Sequence, residues 1–546
     1  MLTKCVKSIR FLYNENVEGT GGELQAAIQL IRPSVVSSFT DTDSVVLNDG
    51  ALEFMAAMVR DFSGALGNLP TVGELPVCEA SIGRMPAFSK KTEGIRKSEW
   101  QVEPPRPNRK SSAVELLFAA ADGKAMEQAL RSGASSLLAD LDDSQIPSWH
   151  SIVEGHVNIL EATRDVCRRR EEEGTTEGFT LAVRPRGLRQ TERHVLVDGG
   201  LVSAGMFDVG IFTYNTSAEM LSSGLQPHLY LPKMESHFEA RAWNSILDYI
   251  EMQLALPANF IKVRIQVDDI TAVFELDEIV AELSGRATGM SFDRWGYTFS
   301  LVRHFGIAQG FVLHESSLIG KIPAYVEACE RYVAWMAKKR GLSSAGMISA
   351  HPPFCENSDE CAGDCLRHEM EREFQLGNDI IIVAEKEHIR TVVDVSSSCS
   401  PTNVANRFAT DDETGSRLLT LPTPKVTMKG IKTSINAVLR FLASSLSTGE
   451  CTSAGEGKAS ISAIEACRSM LWQWARAKTI TSDGRPIHGR FVASLIDEEL
   501  GDILKSVGGD ERRRNYEKAA LILKKVTSSH TFLPSIFEYA NPELVE

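Results

Sequence analysis

Between about residue 113 and residue 395 the chain alternates short, β-prone apolar runs with helical stretches. This alternation is typical of βα units, in which each strand of a parallel sheet is followed by a helix that crosses back over the sheet. Eight candidate strands in about 270 residues predict an α/β fold of the TIM barrel type. The predicted strands are Ser136–Asp140, Thr180–Arg184, Asp208–Tyr214, His228–Pro232, Phe260–Val267, Gly289–Phe292, Ala345–Ser349 and Ile380–Ala384.

Helical segments are expected on both sides of this barrel. Residues 1–110 read as a mainly helical part, in which Ala51–Leu66 carries apolar residues at helical spacing and a proline-rich break follows at 104–107. A serine-rich, turn-rich segment begins at 396, and helical periodicity returns beyond it. The predicted C-terminal helices are Ile435–Ser447, Ile461–Thr479, Gly489–Val507 and Tyr516–Thr527. We therefore expect domains at 1–110, 111–395 and 396–546.

Composition excludes several classes of partner. The 58 basic and 72 acidic residues give a net charge of −14, and an acidic chain repels the phosphates of nucleic acids. No apolar run is long enough to span a membrane. Ten cysteines without a signal peptide predict reduced thiols in the cytoplasm, and the final residues, Glu-Leu-Val-Glu, are not a peroxisomal signal. The expected partner is a small-molecule substrate, and the oligomeric state stays open.

Polar residues stand where several predicted strands end. They are Asp140, Arg184, Lys233, Asp268 and Asp293. Barrel enzymes place their catalytic groups at the carboxyl ends of the strands, so the sequence predicts a site that combines carboxylates with cations.

The chain also carries a series of motifs in a fixed order. These are Lys91–Trp100, Ala139–Ser144, Val183–Gly187, Leu231–His237, Phe274–Ile279, Asp293–Gly296, Leu471–Trp474 and Asp483–Arg485. Together they resemble malate synthase of the A type over nearly the whole chain. The resemblance implies a TIM barrel with an N-terminal helical clasp and a C-terminal helical domain.

The chemistry that the resemblance implies is acyl transfer. That family joins the methyl carbon of acetyl-CoA to the aldehyde of glyoxylate and hydrolyses the thioester to give malate. The reaction needs an aspartate base for a weak carbon acid, Mg²⁺ held by a glutamate and an aspartate, and an arginine that stabilises the developing negative charge.

Carried onto this sequence, the family's residues are only partly kept. Its catalytic arginine corresponds to Arg184, and its metal-binding glutamate corresponds to the shorter Asp268. The metal-binding aspartate of its Gly-Arg-Trp-Asp motif corresponds to Gly296, which has no side chain to offer. The base corresponds to Ser460, which cannot act as one without a partner that takes its own proton. The family's Val-Ala-His-Pro, which shapes the acetyl-CoA site, corresponds to residues 383–386.

Other residues leave two interpretations open. Arg184 is either a site residue or part of a structural salt bridge, and Asp293 either caps a helix or replaces the missing metal ligand. Asp140 and Asp142 are candidate substrate contacts, and Asp142 could reach a metal through water. Arg294 and Trp295 are also candidates for substrate contact, although a tryptophan in such a motif commonly packs.

Cys355, Cys361, Cys365 and His368 form a cluster in the predicted loop after the seventh strand. Their spacings differ from the paired Cys-x2–4-Cys pattern of structural zinc sites, so free thiols or one incidental disulfide is the default expectation.

Three functions are compatible with this pattern. The favoured one is a malate-synthase-like enzyme with a diverged active site, which uses acyltransferase or lyase chemistry on a CoA thioester or a small oxo acid in a specialised pathway. The second is an inactive homologue with a binding or regulatory role. The third is a malate synthase with a rebuilt site. Mg²⁺ is a possible cofactor, held through Asp268, and its binding is expected to be weak or absent.

Overall fold

The computed structural model describes residues 43–70, 86–102, 114–134, 136–173, 179–308, 310–315, 322–348, 359–399, 408, 411–421, 425–448 and 460–537. Its centre is a closed barrel of eight parallel strands, ordered around the barrel as β1-β10-β9-β8-β7-β6-β3-β2. These strands are β1 Val114–Ala119, β2 Ser136–Asp140, β3 Thr180–Arg184, β6 His228–Leu231, β7 Lys262–Val267, β8 Ala287–Phe292, β9 Ser343–Met347 and β10 Ile380–Val383. A separate antiparallel hairpin consists of β4 Thr191–Val197 and β5 Gly200–Ser203. The TIM barrel predicted from the sequence is confirmed.

Helices cover the barrel and extend at both ends of the chain. In chain order they are α1 Asp43–Val46, α2 Asp49–Gly67, α3 Glu93–Lys97, α4 Gly123–Leu130, α5 Trp149–Glu173, α6 Ala204–Ser222, α7 His237–Gln253, α8 Ile270–Val273, α9 Leu276–Glu282, α10 Arg294–Phe305, α11 Ala324–Lys339, α12 Asp359–Leu376, α13 Ile389–Ser398, α14 Asp411–Leu419, α15 Met428–Thr448, α16 Ile461–Arg476, α17 Gly489–Ser506 and α18 Asp510–Ser528. Short 3₁₀ turns lie at Lys90–Thr92 and Lys386–His388.

The strands are apolar because both of their faces are buried. Along β1, Leu116 and Phe118 pack with the residues of the surrounding helices, whereas Leu117 belongs to a second cluster. That cluster also contains Leu138, Ala182, Tyr230, Ala345, Ile380 and Ile382 from five other strands. Side chains at alternate positions along a strand point to opposite faces. The residues of the second cluster therefore fill the barrel interior, while their neighbours along each strand pack against the helices.

One predicted strand is wrong and one barrel strand was not predicted. Asp208–Tyr214 lies inside α6, which begins after the N-cap Ser203. Its β-branched and aromatic residues imitate a strand because this helix is buried over most of its surface, packed between α5 and the N-terminal helix α2. The missing strand is β1, which precedes all the strands predicted from the sequence.

The flanking helical parts are attached to the barrel by specific polar contacts. The predicted helix at Ala51–Leu66 is confirmed as α2, which packs on α6. At the other end α16 packs on α10, and the Trp474 indole donates to the Leu313 carbonyl oxygen at 3.0 Å. Residues 396–398, where the sequence predicted the start of a turn, are the last residues of α13, and residues 400–407 lie outside the described part of the chain. Within the described part of the chain, no helix is long and apolar enough to cross a membrane.

Candidate active site

A cavity of about 290 Å³ lies at the carboxyl end of the barrel, where segments that follow β2, β3, β6 and β7 converge. The first turns of α16 and the chain at Pro534–Phe537 supply the opposite wall, so the C-terminal helices cover the barrel mouth. The residues with ionisable side chains that line the cavity are Asp142, Asp143, Arg186, Arg189, Glu192, Arg193, His194, Lys233, Glu235, Asp268, Asp269, Arg303 and Glu465.

Arg184 and Asp140 form a buried ion pair at the ends of adjacent strands. The Arg184 Nε donates to Asp140 Oδ1 at 2.7 Å, a second bond joins Nη2 to Oδ2, and Nη1 donates to the Gln266 amide oxygen at 3.0 Å. Burial opposes its charge, but the Asp140 carboxylate raises the pKa of Arg184 well above its usual value. Arg184 is therefore part of a buried salt bridge. A role for it in catalysis or in substrate binding stays a prediction.

Lys233 supplies a second cation, two residues after β6. Its Nζ donates to Asp142 Oδ1 at 2.6 Å and lies 3.4 Å from Asp143 Oδ1. Its backbone N–H is shared between the two carboxylate oxygens of Asp268, at 2.9 and 3.0 Å. Burial disfavours the charged ammonium form and would lower the pKa of Lys233. The carboxylates of Asp142 and Asp143 have the larger effect and raise this pKa. The side chain is consequently protonated at neutral pH.

The two ends of the motif Asp293–Gly296, which is Asp-Arg-Trp-Gly where the malate synthase motif is Gly-Arg-Trp-Asp, lie close together. Asp293 is the N-cap of α10, and its Oδ1 accepts from the backbone N–H of Trp295 at 2.9 Å. A Cβ added at Gly296 would lie 2.8 Å from the Asp268 Cβ and 3.1 Å from Asp293 Oδ2. Asp293 is thus a capping residue, as one of the two interpretations had it. Its second carboxylate oxygen occupies the space beside Gly296.

Asp140, Asp142, Asp143, Asp268 and Asp293 form an acid cluster, which outnumbers its cations Arg184 and Lys233. Burial and the adjacent Asp143 raise the pKa of Asp142 to about 7. Burial and Asp293 raise the pKa of Asp268 well above its usual value, and burial followed by Asp143 raises that of Asp293. Excess buried negative charge of this kind is relieved either by protons or by a cation.

At the place where the resemblance implies Mg²⁺, Asp268 and Asp142 already accept hydrogen bonds from protein donors. Within the described ranges no group of three or more His, Cys, Asp or Glu side chains is arranged to hold a metal ion. Asp268 accepts from Lys233 N–H and from the Gln266 amide at 3.1 Å, Gly296 has no donor atom, and the ammonium of Lys233 already contacts Asp142. Lys233 therefore provides the positive charge that faces these carboxylates.

Ser460, aligned with the family's base, is the N-cap of α16. Its Oγ accepts from the backbone N–H of Ala463 at 3.2 Å and lies 3.0 Å from the Ser462 hydroxyl. The next residue, Ile461, donates its N–H to the Asp143 carbonyl oxygen at 2.9 Å. Ser460 thus stands at the edge of the cavity, and among the described residues the contacts of its hydroxyl include no carboxylate or imidazole.

The other predicted contacts lie outside the cavity lining. Arg294 pairs with Glu369 of α12 and donates to the Met347 carbonyl oxygen at 3.4 Å, and Trp295 is buried at 5% exposure in the main core. Lys386, at the position related to acetyl-CoA binding, donates to the Gln128 amide oxygen at 3.0 Å. Cys355 lies outside the described residues, as do the side chains of Cys361 and Cys365, while His368 is exposed on α12. The zinc interpretation thus stays untested.

One wall of the cavity was not predicted from the sequence. It is formed by the β4–β5 hairpin. Thr191, Glu192, Arg193 and His194 of this hairpin line the cavity. A usable signal is present, because the short β-prone apolar runs Val195–Val197 and Leu201–Val202 lie on either side of Asp198-Gly199, a frequent hairpin turn.

Comparison with known proteins identifies the family of this chain, because malate synthase family models match about two thirds of its residues. Residues 180–417 match the family model for the malate synthase TIM barrel domain, and residues 425–540 match the model for the malate synthase C-terminal domain. A malate synthase from Myxococcus xanthus is 28% identical over 500 residues, which cover 89% of this chain and 92% of that protein. A glyoxysomal malate synthase from Candida tropicalis is 27% identical over 508 residues, 88% of this chain and 91% of the relative. A malate synthase from Streptomyces clavuligerus is 28% identical over 503 residues, 88% and 92% respectively.

Proposed function

Because the chain belongs to the malate synthase family, we propose that it is an enzyme that binds a small oxo acid or a CoA thioester in this cavity, through an active site that has diverged from the family pattern. The observation that carries the proposal is the Lys233 ammonium among Asp142, Asp143 and Asp268 at the carboxyl end of the barrel. A cation held at this place suits a substrate with an anionic or polarised oxygen.

The cavity has further positive groups for an anionic substrate. Arg193 is exposed on the hairpin, and Arg303 pairs with Glu235 at 2.6 Å while its side chain stays 36% exposed. Arg189 contacts Glu239 and the carbonyl oxygen of Pro70. Guanidinium groups bind carboxylates and phosphates through paired hydrogen bonds, so these residues suit an oxo acid or the phosphates of a CoA thioester.

Lys233 acts as an electrophile in this proposal. Its pKa is raised by Asp142 and Asp143, so it carries a proton and has no free electron pair for attack on a carbonyl carbon. A protonated lysine can instead donate a hydrogen bond to a substrate carbonyl oxygen and stabilise the charge that develops there. Removal of one such donor from an oxyanion site typically costs about 10²–10³-fold in rate.

We expect the protein to form little or no malate from acetyl-CoA and glyoxylate. Ser460 stands at the position of the family's base, and its hydroxyl caps α16. Loss of a positioned base typically removes a factor of about 10²–10⁴. The cytoplasmic location and the small-molecule partner stay predictions of the same proposal.

One observation favours the second candidate, a malate synthase with a rebuilt site. The distance of 3.1 Å between Asp293 Oδ2 and the place of a Cβ at Gly296 puts a carboxylate close to where the family's metal-binding aspartate begins. A small movement of Lys233 away from Asp142 would then let Asp268 and Asp293 face a cation together.

Two measurements on the purified protein distinguish these candidates. A thiol-release assay with acetyl-CoA and glyoxylate is expected to show at most trace turnover, and calorimetry is expected to find no Mg²⁺ binding in the micromolar range. Turnover in the usual enzyme range of about 1–10³ per second, together with Mg²⁺ binding, would replace the first proposal by the second.

The diverged enzyme is tested with a panel of small oxo acids and CoA thioesters. Calorimetry on the wild-type protein should find a ligand whose affinity falls at least tenfold in Lys233→Met. The matched control is Lys432→Met, since Lys432 pairs with Glu498 on the surface of the C-terminal helices. Absence of binding by every oxo acid and thioester would contradict the proposal.

A further inference from the structure

The hairpin wall of the cavity holds an oriented imidazole. His194 is buried, with 4% of its surface exposed, and its Nδ1 lies 2.7 Å from Glu192 Oε1. The same oxygen accepts from the His194 backbone N–H at 2.8 Å, and Glu192 Oε2 accepts from Arg186 Nη1 at 2.7 Å. Arg186 is held in turn by two bonds from its side chain to Asp208, of 2.9 and 2.7 Å. The ring therefore has a fixed orientation.

These contacts also determine which nitrogen carries the proton. Burial on its own would raise the pKa of Glu192, but the Arg186 guanidinium outweighs it and lowers that pKa to about 2. Glu192 is therefore ionised and can only accept hydrogen bonds, so the hydrogen of the neutral imidazole lies on Nδ1. The other nitrogen, Nε2, is then left with a free electron pair.

That electron pair has no partner within the described part of the chain. The His194 Nε2 is a buried atom without a hydrogen bond, although His194 lines the cavity. A buried acceptor without a hydrogen bond is energetically unfavourable. The Nδ1 of His156 is a second such atom, but His156 does not line the cavity, whereas His194 does. The ring also packs near Trp149, with the ring centroids 5.5 Å apart.

We infer that His194 is the catalytic base of this cavity and that Glu192 is its positioning residue. The inference rests on the proposed function, because it needs an oxo acid or a thioester in the cavity. His194 Nε2 takes a proton from the carbon next to the substrate carbonyl. The electrons of that C–H bond form the carbon–carbon double bond of an enolate, and the carbonyl π electrons move to the oxygen.

The surroundings suit each end of this transfer. The imidazolium that forms stays beside the Glu192 carboxylate, which stabilises its positive charge. The enolate oxygen carries the negative charge that Lys233, on the same cavity, can stabilise. The proton returns to the same carbon from His194, or is lost to solvent when the enolate attacks another carbonyl. His194 thus supplies the proton acceptor that Ser460 lacks.

Deuterium exchange tests the proton transfer without requiring the complete reaction. Wild-type protein in D₂O is mixed with pyruvate or with acetyl-CoA, and proton NMR follows the loss of the methyl signal. We expect catalysed exchange with at least one of the two compounds. His194→Asn should slow it by about 10²–10⁴-fold, because an asparagine amide replaces the Nδ1–H donor toward Glu192 but offers no Nε2.

The matched control is His156→Gln. His156 is equally buried and lies 3.4 Å from Asp208, in the same charge network as Arg186, but it does not line the cavity. A glutamine amide can replace its Nε2 contact. This variant should keep the wild-type exchange rate, so a general disturbance of the network is distinguished from the loss of a base.

Each outcome bears on one hypothesis. If pyruvate or acetyl-CoA binds by calorimetry but exchange is absent, or persists in His194→Asn, the inference is wrong and the proposed function stands. If neither compound binds nor exchanges, the inference is overturned, and the proposed function is overturned only if the whole panel of oxo acids and thioesters also fails to bind. Should His194→Asn fail to fold, nitrogen-15 NMR of the wild-type imidazole decides. A neutral ring protonated on Nδ1, with an Nε2 signal that shifts when the compound binds, supports the inference, and a ring protonated on Nε2 contradicts it.

Discussion

Lys233 has a left-handed backbone, with a φ of 56°. This conformation costs a residue other than glycine about 1–2 kcal/mol, so surrounding contacts must stabilise it. The two carboxylate oxygens of Asp268 accept from its N–H, and Asp142 holds its ammonium group. The acid cluster and the strained residue therefore stabilise each other, and the positive charge is placed at the barrel mouth.

The acid cluster makes stability depend on pH. The pKa of Asp142 is about 7 in the folded protein, above its usual value of 3.8. A carboxyl group whose pKa is raised on folding contributes stability that is complete below about pH 4 and is lost as the pH rises to about 7. In Asp142→Asn the side chain cannot ionise. Between about pH 4 and pH 7 the free energy of unfolding of this variant should therefore fall by a few kcal/mol less than that of the wild-type protein, since one pKa unit corresponds to about 1.4 kcal/mol.

Urea unfolding at about pH 4 and about pH 7 measures this difference. Asp502→Asn is the control, since Asp502 is an exposed residue paired with Lys505 on α17. Equal losses of stability in wild-type protein and Asp142→Asn would show that Asp142 does not carry a raised pKa.

Position 296 has no room for a side chain, because atoms of Asp268 and Asp293 occupy the space beside it. In Gly296→Ala the new Cβ would lie 2.8 Å from the Asp268 Cβ, closer than atoms of this kind approach, so the backbone or Asp268 must shift. We expect a loss of about 1–3 kcal/mol, although alanine favours helices more than glycine does.

Gly501→Ala is the matched control, because Gly501 also lies inside a helix and has no atom within 4 Å of an added Cβ. That variant should gain up to about 1 kcal/mol. Thermal unfolding of both variants checks the contrast, and a stabilised Gly296→Ala protein would contradict it.

At the scale of elements, the sequence predicted most strands because their runs are short, apolar and bounded by turns. It failed at α6, where Val209, Ile211 and Phe212 are buried although they lie on a helix. Periodicity cannot separate a buried helix from a buried strand, and only the N-cap Ser203 and the length argued for the helix. For the site, the strand-end residues were predicted to converge, as Asp140, Arg184 and Asp268 do. The wall formed by β4 and β5 depends on how a hairpin folds back, which local residues do not encode.

The N-terminus of α16 provides a test at the same scale. Ser460→Ala removes the hydroxyl that accepts from the Ala463 N–H and should cost about 1 kcal/mol. Ser460→Asp keeps an N-cap acceptor and adds negative charge at the positive end of the helix, so its stability should match the wild type within about 1 kcal/mol. Chemical denaturation compares the three proteins. A stable Ser460→Ala would mean that the cap contributes nothing.

For the whole molecule, the barrel and the C-terminal helices form one structure around the cavity. Gln473 of α16 accepts from Leu313 N–H at 3.0 Å and donates to the Phe311 carbonyl oxygen at 2.8 Å, while Trp474 is fully buried. The division at 1–110, 111–395 and 396–546 is thus proposed as a division of the sequence, with the cavity shared between two of its parts.

A chain that ends at residue 424 should therefore lose its stable fold. Removal of α15–α18 exposes the face of α10 that packs on α16 and takes away a wall of the cavity. Each large apolar side chain newly exposed costs about 1.5–3 kcal/mol. We expect the shortened chain to aggregate or to bind a hydrophobic dye, and the separately produced 425–546 chain to reduce that binding. A monomeric shortened chain with a cooperative unfolding transition would contradict this expectation.

The contact between Asp293 and Gly296 limits how this protein could change over generations. If only Gly296 returned to aspartate, the new side chain would meet Asp268 and the Asp293 carboxylate. If only Asp293 became glycine, α10 would keep an N-cap residue of a tolerated type and the acid cluster would lose one carboxylate. The order of the two changes therefore matters: the replacement of Asp293 opens the space that a side chain at position 296 needs, whereas a side chain at 296 alone meets two carboxylates.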